Sequence, residues 1–462
     1  MTILKVDSPY SGEIVAEVPL IASADLPAVV SQGRAAQREL ASWSLEQRTA
    51  LCQRFLVEIE KRSESLAGDI TDQMGKPLAE SRGEVRGLLE RARTMMSLAP
   101  EALAEEVLPP KEGFIRKIVR EPVGLVLVIA AWNYPLLIAV NGVVPAVLAG
   151  NAVLLKHSGR TPLCGEAFAK AFAAAGAPKD LIQAIHCSHA VTADLVADPG
   201  VDYVAFTGSV GGGRAVHRAA GGRYIQVATE LGGKDPAYVR ADADLSFTVP
   251  NLVEGACYNA GQSCCAIERI YVHEHVYDEV VERAVEAAKG FVLGDPRVAA
   301  TTIGPMAQSN QLAFLTAQVA DARQRGARVL LGGESTQLDG RGRFFQPTVI
   351  ADTDHTMDVM MEESFGPIVA LSRVTGDEQA LERMNDSAYG LTASIWTQDS
   401  VFVERIAPRI ETGTVFMNRC DYLDPMLPWT GVKDTGRGVS LSRHGFAPLT
   451  RLKGYHFRLR NA

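Results

Sequence analysis

The feature that most constrains the fold of this chain is a change of period after residue 122. Short apolar runs recur at 124–130, 152–155, 181–185, 203–206 and 225–228. Between them lie Ala-rich segments of helical length, such as 162–175 and 210–220. Strands alternating with helices imply a parallel sheet with helices on its faces. In such a sheet, ligands bind beyond the carboxyl ends of the strands, so the turns after these runs are where function is sought.

The flanking regions read differently. The first hundred residues look mainly helical: Leu51, Phe55 and Ile59 recur every four residues among polar neighbours, as in an amphipathic helix. Met95 and Met96 read as core filler. Pro109 and Pro110 break the chain, and 114–120 mixes apolar and basic residues like an exposed strand. A second alternation fills 231–430, with strands expected at 269–272 and 328–331 and helices at 276–288 and 311–325. Residues 455–460 read as a terminal strand. A chain of 462 residues exceeds one compact core, so two or three domains are expected.

Several classes are disfavoured. Residues 122–155 carry no charged side chain and are long enough to span a bilayer. However, Asn133, Pro135, Asn141, Gly142, Pro145, Gly150 and Asn151 interrupt them, so a buried strand–helix–strand is expected instead of a membrane span. The net charge of −8 is spread along the chain without a basic block, which argues against nucleic acid as a partner. The N-terminus lacks the basic start and apolar run of a secretory signal. Seven cysteines without a Cys-x-x-Cys pair fit neither a disulfide framework nor a metal site. A reduced, cytoplasmic setting is expected.

Four of the strand-end turns hold unusual residues. They are Trp132-Asn133-Tyr134-Pro135, Lys156-His157-Ser158-Gly159-Arg160, Phe206-Thr207-Gly208-Ser209 followed by Gly211, Gly212 and Gly213, and Glu230-Leu231-Gly232-Gly233-Lys234. A glycine-rich turn into a helix lets backbone N–H groups and the helix dipole meet phosphate. Further on, Gly261 precedes Gln262-Ser263-Cys264-Cys265. Adjacent cysteines are by default buried small hydrophobes. The glycine allows a turn that presents a thiol, with a helix N-terminus as one setting that favours thiolate. A Cys–His hydrolase would need a distant histidine such as His157 or His355.

These motifs, together with Glu362-Glu363-Ser364-Phe365-Gly366-Pro367 and Pro428-Trp429-Thr430-Gly431-Val432-Lys433, resemble in order and spacing the aldehyde dehydrogenase superfamily, over nearly the whole chain. The compact length and the Lys156-His157 pair resemble its compact semialdehyde dehydrogenase branch. The resemblance implies an α/β fold with a Rossmann-type nucleotide-binding domain (about 1–103 and 123–230), an α/β catalytic domain (231–434) and a small β oligomerisation extension (104–122 with 441–462). It also implies NAD(P)-dependent oxidation of a small-molecule aldehyde to the carboxylic acid by a homodimer or homotetramer. The alternatives are a succinate-semialdehyde-type enzyme or one that passes its acyl group to coenzyme A.

By the same resemblance, Cys264 is the nucleophile, Glu230 the general base and Asn133 an oxyanion donor. NAD or NADP would be held by Trp132, Lys156, Ser158, Gly159, Gly208, Ser209, Gly213, Leu231, Glu363 and Phe365. Three departures qualify this. Gly159 stands where many members carry the Glu that binds the adenosine ribose, and His157 where many carry Pro. Asn141 stands where semialdehyde enzymes often carry an Arg that holds the substrate carboxylate, so no strong preference for such substrates is expected unless Arg419 supplies the charge. The stretch 437–445 lacks an acidic residue usual there, which bears on the subunit contact.

Overall fold

The computed structural model describes residues 2–459. The chain opens with a hairpin, β1 (Ile3–Asp7) against β2 (Ile14–Pro19), in a region whose sequence reads as mainly helical. Four helices follow: α1 (Leu26–Ala41), α2 (Leu45–Glu60), α3 (Ser63–Met74) and α4 (Leu78–Ala102). Ser44 starts α2 with a capping box: its hydroxyl accepts from the Gln47 N–H while the Gln47 side chain accepts from the Ser44 N–H at 2.8 Å. Leu51, Phe55 and Ile59 are fully buried, and Phe55 stacks on Phe172 with centroids 4.1 Å apart.

After β3 (Glu106–Val107) and β4 (Phe114–Pro122) the parallel sheet begins. Its strands are β5 (Leu125–Ala130), β6 (Ala152–His157), β7 (Ile182–Ala184), β8 (Tyr203–Thr207) and β9 (Gln226–Glu230), in the order β7-β6-β5-β8-β9 and all parallel. The helices α5 (Pro135–Ala149), α6 (Pro162–Ala174), α7 (His189–Ala197) and α8 (Val210–Ala220) connect them. The uncharged stretch therefore folds as β5–α5–β6, with every residue of both strands buried. No helix of the described residues is long and apolar enough to cross a membrane.

The second alternation forms a seven-stranded sheet. In chain order come β10 (Asp235–Val239), α9 (Leu245–Cys257), β11 (Ile267–His273), α10 (Tyr277–Lys289), α11 (Asn310–Gln324) and β12 (Arg328–Leu331). Then follow a hairpin of β13 (Ser335–Leu338) and β14 (Arg341–Phe345), β15 (Thr348–Ala351), β16 (Ile368–Val374), β17 (Tyr389–Gly390), β18 (Thr392–Trp396), β19 (Thr414–Met417) and β20 (Val432–Lys433). The order is β12-β15-β16-β11-β10-β18-β19, parallel except for β12 against β15.

Each sheet has its own apolar core. Trp429, Leu441, Phe446 and Leu449 return to the first of these. The last strand, β21 (Thr450–Arg458), pairs antiparallel with β4 in a three-stranded sheet. It begins earlier than the terminal strand expected at 455–460. Residue 460 of that strand, with residues 1, 461 and 462 of the expected domain ranges, lies outside the described residues.

Candidate active site

Glu230 ends β9, and the chain crosses to the second sheet through Leu231-Gly232-Gly233-Lys234. This crossing lies against the loop after α9. A Cβ on Gly233 would stand 2.1 Å from the Cys264 carbonyl oxygen, so glycine lets the two backbones meet. Beyond α9, Asn259, Ala260 and Gly261 are all left-handed, with φ of 55°, 55° and 70°. That run reverses the chain and sets Cys264, half-buried, in the turn before β11. A helix N-terminus is not its setting: Cys264 follows a short 3-10 turn and precedes a strand, so backbone reversal, not a helix dipole, positions the thiol.

Cys264 and Glu230 both line a cavity of about 630 Å³, together with Tyr134, Leu137, Ser263 and the loop from Arg419 to Leu423. Asn133 is buried beside it rather than on its wall; its amide Nδ2 donates to the Gln262 carbonyl at 3.1 Å. An amide nitrogen has two N–H groups, so one remains for a ligand. Cys265 is 3% exposed, and its thiol donates to Asp421 Oδ1 at 3.1 Å. The neighbouring Cys264 and its own burial push that thiol well above the usual range. Neither candidate histidine lines this cavity. His157 is bonded to the Pro135 carbonyl and Thr161, and His355 to Tyr271 and Asp386.

Burial raises the Glu230 carboxyl above its ordinary range, opposed by the Ser440 hydroxyl, the Arg91 guanidinium and Thr207. Thr207 Oγ1 donates to Glu230 Oε2 at 3.4 Å. The stretch 437–445 thus bears on the site as well as on any subunit contact. Its Arg437 carbonyl accepts from the Thr229 N–H at 2.6 Å, and Ser440 lines a small cavity of about 40 Å³ behind Glu230.

The expected cofactor residues lie along the carboxyl edge of the first sheet and the facing loop of the second. Ser209 caps α8 by accepting from the Gly212 N–H at 3.2 Å. Leu231 packs so closely on Gly213 that a Cβ there would stand 2.7 Å from it. Gly208 donates its N–H to the Glu230 carbonyl at 3.0 Å. Lys156, at the end of β6, is 8% exposed, and burial lowers its pKa. Its ammonium has no hydrogen-bond partner among the described residues, which suits an incoming ribose hydroxyl or phosphate. Ser158 Oγ accepts from the Arg160 N–H at 3.2 Å, and Gly159 faces the Leu4 side chain, which an added Cβ would meet at 3.4 Å. Glu363 Oε1 accepts from the Gly233 N–H at 2.9 Å; burial and the neighbouring Glu268 push its carboxyl up to about 8. Trp132 and Phe365 meet edge to face, centroids 5.6 Å apart.

Two buried ion pairs that the motifs do not announce hold these parts. Lys76 Nζ lies 2.5 Å from Glu84 Oε2 and donates to the Asn133 carbonyl at 2.9 Å, while Glu84 Oε1 accepts from the Leu136 N–H at 2.8 Å. Lys234 Nζ lies 2.6 Å from Glu268, whose two oxygens accept the N–H groups of Ser364 and Phe365 at 2.7 and 2.9 Å. Lys234 belongs to a motif quoted above; Lys76, Glu84 and Glu268 are single charges with no sequence signal beyond their type.

Comparison with known proteins places this geometry in context. A model of the aldehyde dehydrogenase family matches residues 2–454. The chain is 34% identical over 446 residues to a succinate-semialdehyde dehydrogenase (NADP(+)) of Deinococcus radiodurans, covering 96% of this chain and 93% of that one. It is 35% identical over 448 residues to a geranial dehydrogenase of Castellaniella defragrans, with coverage of 96% and 93%. Among solved structures, an NAD-dependent aldehyde dehydrogenase from Sinorhizobium meliloti superposes with a TM-score of 0.96 at 31% identity, covering 100% of this chain and 92% of that one.

Proposed function

This chain belongs to the aldehyde dehydrogenase family, and from that premise we propose that Cys264, Glu230 and Asn133 are its catalytic residues. The enzyme oxidises an aldehyde to the carboxylic acid with NAD or NADP. The observation that supports the residue assignment is that Glu230, at the end of β9, and Cys264, in the turn before β11, line one cavity.

Cys264 releases its proton to solvent, and the thiolate sulfur attacks the aldehyde carbon, forming a C–S bond as the carbonyl π pair moves onto oxygen to give an oxyanion. The remaining Asn133 amide N–H and the Cys264 backbone N–H receive that charge. When bound, NAD or NADP would supply the acceptor for the hydride that leaves this carbon. A thioester then remains on Cys264. Glu230 takes a proton from water as the water oxygen attacks the thioester carbonyl; the C–S bond breaks, releasing the acid and the thiolate.

Lys156, Ser158, Gly159, Gly208, Ser209, Gly213, Leu231, Glu363, Trp132 and Phe365 would hold the cofactor. The two separate cores support the division into nucleotide-binding and catalytic domains. The sheet of β3, β4 and β21 leaves Val107, Ile115, Leu452 and Phe457 exposed, which supports a homodimer or homotetramer joined through it. Seven free cysteines suit a reducing cytoplasm. The test is aldehyde-dependent reduction of NAD or NADP, with and without coenzyme A. Turnover that needs coenzyme A, or that survives in Cys264→Ala, would overturn the reading.

A further inference from the structure

The reaction cavity contains a cation that the chemistry above does not use. Arg91, on α4, is 9% exposed and lines the cavity. Its Nη1 donates to Asn141 Oδ1 at 3.2 Å and to the Leu137 carbonyl at 3.4 Å. The Nε–Nη2 edge has no partner, and no carboxylate lies within ion-pair distance, among the described residues. A guanidinium cannot shed its charge, so burying it without a counter-ion is costly.

The other charges of this cavity are already answered. Glu84 is paired with Lys76, and Asp421 accepts from Ser263 and Cys265. Burial pushes the Glu80 carboxyl up to about 8, so it is mostly neutral at pH 7. Glu90 and Glu254 are exposed at the rim, and Arg419 is exposed and stacked 3.4 Å above the Tyr422 ring. Glu230 is bonded to Thr207 and reserved for the reaction.

We propose that Arg91 anchors a carboxylate at the far end of the substrate, so that the preferred aldehydes are semialdehydes of short dicarboxylic acids. Asn141 holds one arm of the guanidinium, leaving the Nε–Nη2 edge for two parallel bonds to the anion. This rests on the reading that Cys264 attacks the aldehyde in the same cavity. It also replaces the expectation drawn from Asn141 alone, because the charge comes from a different helix.

The test compares succinate semialdehyde with butanal, an uncharged aldehyde of the same chain length, in wild type and Arg91→Gln. Wild type should favour the semialdehyde in kcat/KM at least tenfold, or about 1.4 kcal/mol. Arg91→Gln should erase that ratio through the KM of the semialdehyde, with the KM of butanal changing less than threefold. Any effect through Glu230 strikes both substrates and cancels in the ratio. Equal losses, an unchanged ratio, or no preference in wild type would overturn the anchor. A second measurement needs neither turnover nor a variant: butyrate should protect Cys264 of the wild-type enzyme from iodoacetamide at a concentration at least tenfold below butyramide. Equal protection overturns the proposal. If no aldehyde is oxidised, the catalytic reading fails, while this protection ratio still decides on Arg91.

Discussion

Arg160 is held by Asp7: Nη1 lies 2.5 Å from Oδ1, and Nη2 donates to the Asp7 carbonyl. Its Nε donates to the Gln73 carbonyl at 2.5 Å. The guanidinium therefore ties the N-terminal hairpin and α3 to the turn after β6, and it is not free to meet a 2′-phosphate. Arg160→Ala should lower catalytic efficiency with NADP and NAD alike, the two within about threefold of each other, because its loss disturbs the turn and not one ligand. A selective loss of NADP turnover of tenfold or more, about 1.4 kcal/mol, would show that Arg160 leaves Asp7 when the phosphate arrives.

The same turn predicts cofactor use. Gly159 brings no carboxylate to the adenosine ribose, and Lys156, next to last in β6, has no anionic partner among the described residues, so NADP should be accepted at least comparably to NAD. Gly159→Glu has room for its Cβ against Leu4. It should shift the ratio of catalytic efficiencies toward NAD by tenfold or more, since the new carboxylate repels the phosphate and accepts from the ribose hydroxyls. An NAD preference above about a hundredfold in wild type, or 2.7 kcal/mol, would mean that another acidic group already serves there.

The two adjacent thiols separate by environment. Cys264→Ala should abolish oxidation and leave cofactor binding, followed by fluorescence quenching, largely intact. Cys265→Ala should keep substantial activity, because that thiol is bonded to Asp421 and its pKa is raised, so little thiolate forms. If the outcomes are exchanged, the nucleophile has been misassigned.

For Glu230, the working base is the ionised carboxylate, and burial raises its pKa. Hydrolysis-limited kcat should therefore fall as pH drops through a value above the ordinary carboxylate figure of about 4.3. Arg91→Gln removes an influence that lowers this pKa and should move the acid limb to higher pH. Glu230→Gln should give a burst of reduced cofactor and then slow turnover. A slowed first turnover without a burst would place Glu230 chiefly in deprotonating the thiol.

The sequence was most legible where the signal is local. The five strands of the first sheet are found within about two residues of the apolar runs, because a buried parallel strand is a short apolar run bounded by turn residues. The turns carrying Asn133, Lys156, Ser209 and Glu230 fall on one sheet edge for the same reason. Three things were not legible. The β1–β2 hairpin contains no Asn-Gly or Asp-Gly turn, and its short strands bury only Val6, Ala16 and Val18. Arg91 lies in α4 among Glu90, Arg93 and other charges, and nothing in the helical period distinguishes a cavity-facing arginine from a solvated one. The placement of Asp421 and Glu268 depends on contacts 96 to 158 residues away in the chain, which no local pattern encodes.

The Lys76–Glu84 pair yields the last prediction. Both side chains are at most 2% exposed, and between them they bind the Asn133 carbonyl and the first free N–H groups of α5. Lys76 Nζ also stands 4.0 Å from the centre of the Tyr134 ring, at the wall of the reaction cavity. Removing one partner leaves the other charge buried without compensation, at a cost of about 3–5 kcal/mol. Lys76→Met should therefore lower stability by about that amount, read as an earlier urea midpoint at unchanged slope. Because the Asn133 carbonyl loses one of its two donors, keeping only Asn259 Nδ2 at 3.1 Å, the fraction that stays folded should also show reduced kcat with little change in cofactor affinity. The double variant Lys76→Met/Glu84→Leu should recover part of the stability, since the unpaired charge is gone, but not kcat, since Leu cannot accept from the N-terminus of α5. Recovery of both would show that the pair serves the fold alone; recovery of neither would show that packing, and not charge, is what the site cannot replace.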